Sequence, residues 1–151
     1  MEAGDEDRRR HHLVDRLAEA FHRHVSEGVA VDREIEARQR AVAERPDDGA
    51  FVDSLGWGLY RLGRYDEAVA PMEKASLLMP VDPIVTDHLG DVYWSVGRTR
   101  EAEFQWSRAL SFKPTEKDAA RIRAKLEKGL DAVLAEEGAK PLAPVEAKAS
   151  P

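Results

Sequence analysis

Through the middle of the chain, apolar residues recur at three- and four-residue steps, the spacing of one face of an α-helix. From Ser54 the sequence reads SLGWGLYRLGRYDEAVAPMEKASLLMP, and from His88 it reads HLGDVYWSVGRTREAEFQWSRALSFKP, aligned without a gap. Leu55 falls on Leu89, Gly56 on Gly90, Gly63 on Gly97, Arg64 on Arg98, Ala68 on Ala102, Ala75 on Ala109 and Pro80 on Pro114, each pair 34 residues apart. Gly63 and Gly97 close the first helix of each copy, because glycine takes the left-handed backbone that a residue with Cβ resists. Pro80 and Pro114 stop the second helix, because proline cannot continue the hydrogen-bond ladder. Gly56 and Gly90 fall inside a helix, where glycine costs about 1 kcal/mol against alanine, so they predict a neighbouring helix too close for a side chain.

The flanks follow from the same spacing. Met1 to Arg10 are almost wholly charged and are expected to be disordered, since they carry too little apolar surface to offset the entropy of ordering. Leu13, Leu17, Ala20, Phe21 and Val25 then mark an amphipathic helix. One period ahead of the first clear copy, Ile35, Ala41 and Pro46 match Val69, Ala75 and Pro80, but Phe21 and His22 stand where Leu-Gly belongs. Residues 11–48 therefore read as a degenerate first helix pair, Leu13 to Ser26 and Arg33 to Arg45. After Pro114, Thr115 caps a helix with Glu116 and Asp118 in its first turn, where negative charge is favoured. Its apolar stripe of Ile122, Leu126, Leu130, Val133 and Leu134 predicts one long helix over 117–137, ended by Gly138 and followed by a flexible tail over 138–151.

A 34-residue helix-turn-helix unit with Leu-Gly in its first helix, small Ala in its second and a closing Pro is the mark of the tetratricopeptide repeat, and the chain resembles that family. The resemblance implies an all-α solenoid of helix pairs over 49–82 and 83–116 behind the degenerate pair, with the last helix as a cap. It also implies a concave binding groove lined two, five, nine and twelve places into each unit. Those places hold Ala50, Asp53, Trp57 and Tyr60, then Ile84, Asp87, Asp91 and Trp94, with Asp118, Arg121, Lys125 and Lys128 from the cap. The candidate site is Asp53, Trp57, Tyr60, Asp87, Asp91, Trp94, Arg121 and Lys125. The family's clamp for the terminal carboxylate of heat-shock chaperones needs Lys and Asn at the fifth and ninth places. Here Asp53, Trp57, Asp87 and Asp91 occupy them, so that mode is absent. Over roughly Gly49 to Gly138 the chain also resembles the C-terminal end of larger exported repeat proteins of alphaproteobacteria, which carry more repeats ahead. It reads either as a short member or as the last section of one.

Composition narrows the chemistry. The 151 residues, 42% hydrophobic and 34% charged, fit one helical domain. A formal net charge of −6 argues against a nucleic-acid binder and for a basic partner. Without cysteine there is no disulfide, thiolate metal site or thiol nucleophile. No apolar stretch reaches the length needed to span a bilayer, and no signal-peptide core follows the charged start. A cytoplasmic chain is expected, or a periplasmic one if it is a section of an exported protein. His11, His12, His22 and His24 lie near Asp15 and Glu19 but form no recognised ligand pattern, and His88 reads as a buried, hydrogen-bonded residue of the second repeat's first helix. No catalytic constellation or cofactor motif is visible.

The expected function is a non-catalytic module that holds a peptide or protein segment bearing Lys or Arg and apolar side chains in an acidic, aromatic groove. Against it stands the reading in which Trp57 and Trp94 are core residues and the aspartates a solvated face. The alternative function is self-association into a longer solenoid through Leu13, Leu17, Phe21 and Val25.

Overall fold

The structure, a computed structural model, describes residues 27–144. The expected disordered start, the helix from Leu13 to Ser26, the four N-terminal histidines and residues 145–151 lie outside these residues. The described residues form seven helices and no strand: α1 (27–44), α2 (Gly49–Arg61), α3 (Tyr65–Leu78), α4 (Pro83–Ser95), α5 (Thr99–Ser111), α6 (Glu116–Lys128) and α7 (Leu130–Glu136). Two compact units divide between Ala37 and Arg38. The two clear repeats, the candidate site and the final helices all belong to the second.

Each boundary has a chemical cause. Asp48 caps α2 by accepting from the amides of Ala50 and Phe51 at 3.1 and 3.3 Å, and Asp82 caps α4 in the same way on Ile84 and Val85 at 2.9 and 3.0 Å. The turns that follow repeat hydrogen bond for hydrogen bond. Gly63 takes φ +76° and donates to the Tyr60 carbonyl, and the next amide, Arg64, donates to Leu59. Gly97 takes φ +82° and donates to Trp94, and Arg98 donates to Tyr93. Arg64 and Arg98 then clamp Glu67 and Glu101 in the first turns of α3 and α5. These arginines hold both carboxyls below the usual range. For Glu101 the first cause is a hydrogen bond from its own backbone, with Arg98 second.

Helices pack in sequence order, α2 on α3, α3 on α4, α4 on α5 and α5 on α6, so each buries one face against the pair before and one against the pair after. Ala68, Met72, Ala75, Ala102, Trp106 and Ala109 are wholly hidden. A Cβ on Gly56 would stand 2.6 Å from Met72 Sδ, and one on Gly90 would run into the Trp106 indole. The mid-helix glycines thus let α2 and α4 settle onto large side chains of α3 and α5, as their sequence positions predict. Within the second unit, Val42 of α1 packs with Leu78 and Met79 on the cluster of Val52, Ala75 and Val85, and the Arg38 guanidinium donates to the Ser54 carbonyl at 2.9 Å.

The expected single cap helix is broken. Gly129 takes φ +85° and ψ 159°, a backbone that only glycine adopts without strain, and divides the segment into α6 and α7. The break lets Trp94 lie against Gly129 and donate its indole N–H to Asp131 at 2.7 Å. Residues 139–144, the described part of the expected flexible tail, form neither helix nor strand, and the Ala143 amide donates to Tyr65 Oη at 3.0 Å.

Candidate functional site

The first helices of successive units, α2, α4 and α6, bring the predicted positions together. Asp53, Trp57 and Tyr60 stand on α2, Asp87, Asp91 and Trp94 on α4, and Arg121 and Lys125 on α6. Side chains one period apart become lateral neighbours, and this determines the electrostatics.

Lys125 is 1% exposed, yet its ammonium group is satisfied on two sides, by Asp87 and by Asp91 Oδ1 at 2.7 Å. The same Asp91 oxygen accepts from Trp106 Nε1 at 3.0 Å, so a carboxylate that is itself 1% exposed joins α4, α5 and α6. Arg121 lies 3.9 Å from the other Asp91 oxygen and holds Glu137 at 2.6 and 3.3 Å. Its hydrogen bond to Glu137 keeps the guanidinium charged and holds the Glu137 carboxyl low. Burial pushes the Asp87 carboxyl up, with the Asp91 charge adding to the shift and Lys125 opposing it.

The expected acidic positions therefore carry cationic partners of their own. Asp87 and Asp91 share the one Lys125 ammonium, with Arg121 3.9 Å from Asp91, and both also line the neighbouring cavity, so a basic ligand would meet carboxylates that already have cationic partners. Lys125 is likewise not an open contact residue. Trp94 is committed to Asp131 and Gly129. Lys128, the outermost cap position, pairs with Glu136.

Trp57, Tyr60 and Asp53 remain at the surface, each only partly covered. Trp57 is sandwiched between two rings. The His88 imidazole lies 3.8 Å from it at 11°, and the Tyr60 phenol 4.4 Å from it at 16°. Tyr65 continues the row at 5.6 Å from Tyr60. His88 Nδ1 sits 3.0 Å from Asp53 Oδ1, which fixes the imidazole over the indole. Burial, with the charge of Asp91 second, raises the Tyr60 hydroxyl well above its ordinary value and keeps it neutral.

Beside this row opens a cavity of about 190 Å3 whose walls include Trp57, Ile84, His88, Asp118, Arg121 and Ile122. Ile84 stands at its rim, 54% exposed. Counting groove positions missed His88. The available signal was its place one residue after Asp87, in a helix whose outer turns carry Trp and Asp. Among the described residues, no cluster of His, Asp or Glu could hold a metal ion, and no helix is long and apolar enough to cross a membrane.

No family model matches the chain. A TPR repeat-containing protein of Pseudomonas aeruginosa is 35% identical over 82 residues, which is 54% of this chain and 14% of that relative. Among solved structures, the type III secretion translocator chaperone SycD of Yersinia enterocolitica superposes with a TM-score of 0.60 at 21% identity, covering 74% of this chain and 84% of that one. PcrH, solved in complex with the chaperone binding region of PopD, gives 0.59 at 23% identity over 74% and 84%. MamA gives 0.54 at 29% identity over 73% and 70%. The exact period, the paired glycine turns and these likenesses agree, and the chain is built of tetratricopeptide repeats.

Proposed function

We propose that the chain is a non-catalytic protein-interaction module that seats an apolar side chain of a peptide or protein segment in the cavity between α4 and α6, with the segment lying along the aromatic row. The observation that carries this reading is the cavity itself, about 190 Å3, with Trp57 and Ile122 in its walls and Ile84 exposed at its mouth. Pockets for drug-sized molecules run from roughly 300 to 1,000 Å3, so this one suits a single side chain rather than a free small molecule. An indole clamped between two rings presents its edge to the cavity and has little entropy left to lose on binding. PcrH with its PopD region and SycD with a peptide of the translocator YopD support the reading, since a fold of this kind holds a partner segment in both. The carboxylates tune the site less than the sequence implied, because Lys125 already occupies two of them.

The test uses the full chain as bait against cell extract, beside Ile84→Asp and Trp57→Ala variants checked for unchanged helicity by circular dichroism. A partner held by the parent and lost by both variants supports the cavity as the contact point. Equal capture by parent and variants overturns it.

A further inference from the structure

Between Gly138 and residue 144 the chain stays against the repeats. Residues 139–144, in neither helix nor strand, pass the turn between α2 and α3, where the Ala143 amide donates to Tyr65 Oη at 3.0 Å. Leu142 is the half-buried residue of this strap, and the residues on either side of it are exposed. Space of about 320 Å3 lies between the strap and Tyr60, Leu62, Tyr65 and Leu134, and a further space of about 300 Å3 lies between it and Gly63, Ser95 and Val96. The tyrosines beneath it are the far end of the row that begins at His88 and Trp57.

The strap has the form of a bound peptide. Pro141 and Pro144 restrict the backbone to extended geometry and remove two amide donors, so the segment needs no ladder partner and has little conformational freedom to lose. Between them, one amide finds a tyrosine hydroxyl and one leucine turns inward. The contact is small and the space beneath it unfilled, yet tethering supplies an effective concentration on the order of millimolar, enough to keep a weak contact closed.

We propose that the Tyr60–Tyr65 end of the aromatic row is a subsite for an extended peptide with a leucine between prolines, and that residues 139–144 are its resident ligand, displaced when a partner segment of the same chemistry binds. The proposal rests on the inner face being a peptide-binding surface and names the kind of segment that surface accepts. A partner reaching the cavity by way of this subsite must first lift the strap, so the module guards its own groove.

The test uses a fluorescein-labelled peptide of residues 138–144, GAKPLAP, and fluorescence anisotropy. Full-length Leu142→Ser removes the leucine of the resident strap, and full-length Ala143→Pro removes its amide donor; both lie after the last helix, and circular dichroism checks the fold. Apparent affinity scales with the uncovered fraction, so a strap closed in nine molecules of ten predicts about tenfold tighter peptide binding by both variants than by the parent. Adding Tyr65→Phe to Leu142→Ser should reverse most of that gain, and a peptide with serine in place of its leucine should not compete. Equal affinity for parent and variants, or no saturable binding to helical variants, overturns the proposal. Loss of the cavity reading shows separately, as partner capture that survives Ile84→Asp.

Discussion

Lys125 Nζ lies 2.7 Å from Asp91 Oδ1, and neither residue is more than 1% exposed. The two stand one repeat period apart, so the solenoid's own rise places an ammonium beside a carboxylate. Between α4 and α6 the repeat stack is joined by charge as well as by apolar packing.

Removing Lys125 should therefore cost far more than a surface lysine. Lys125→Met leaves the half-buried Asp87 without its ammonium partner and the buried Asp91 with only Arg121, 3.9 Å away, a change of about 3–5 kcal/mol. Urea unfolding measures it, and adding Asp87→Asn and Asp91→Asn to the same chain should recover much of the loss. A loss near the 0–1 kcal/mol of an exposed pair would show that the ammonium is not held as the structure has it.

The pH dependence isolates Asp87. Its native carboxyl is raised above the ordinary 3.8, so between 3.8 and that raised value the folded chain binds more protons than the unfolded one. Stability from this group is fully present below 3.8 and declines as pH rises through the native value. Asp87→Asn cancels the titration, so the difference in stability between variant and parent should move in favour of the variant from about pH 4 upward and then level off. Glu67, Glu101 and Glu137 are lowered instead, and their contribution is present above 4.5 and lost as pH falls. They are common to both chains and drop out of the comparison. Unfolding curves across pH 3 to 8 test the sign.

The two mid-helix glycines should respond differently to alanine. At Gly90 the new methyl meets the Trp106 indole, which is wholly buried and anchored to Asp91, so overpacking of about 1–3 kcal/mol outweighs the helix-propensity gain of about 1 kcal/mol. At Gly56 it meets Sδ and Cγ of Met72, a flexible side chain, but also the Met72 backbone nitrogen at 3.2 Å, so a loss remains, smaller than at Gly90. Thermal unfolding of the two single variants should rank Gly90→Ala clearly below Gly56→Ala.

Gly129→Ala tests the break in the cap. The residue would be held at φ +85° with its methyl against Trp94, a strain of about 1–3 kcal/mol that continuing the helix would relieve. Such relief would pull Asp131 from the Trp94 indole, so the variant should lose stability and shift tryptophan emission together. Unchanged emission would show that the Trp94 contact does not depend on the break.

The repeat was legible in the sequence because it rests on local requirements. Gly63 and Gly97 need left-handed backbone, Gly56 and Gly90 need close approach, and the identical residue at the identical interval announces each. The Gly129 break was hidden because the apolar stripe from Ile122 to Val133 continues through it, and a glycine within a helical pattern is no sure terminus. The pairing of the groove carboxylates was half legible. Trp57, Asp91 and Lys125 hold the same place in successive units, which says that Lys125 stands beside Asp91. What the sequence did not show is that Lys125 reaches inward and is covered, since that depends on how steeply α6 crosses α4. The role of residues 139–144 was illegible for a different reason: a Pro- and Ala-rich tail has no period, and its place is set by one hydrogen bond to a tyrosine 78 positions away.

The stacking of Trp57 between His88 and Tyr60 gives the chain an optical property. Trp106 is sealed in the core, Trp94 is fixed on the final turn, and Trp57 faces the cavity through an imidazole that Asp53 holds in place. Trp94 and Trp106 lie 5.4 Å apart and report together, while Trp57 stands in the groove, so the part of a ligand-induced emission change that is lost in Trp57→Phe is the signal from the groove.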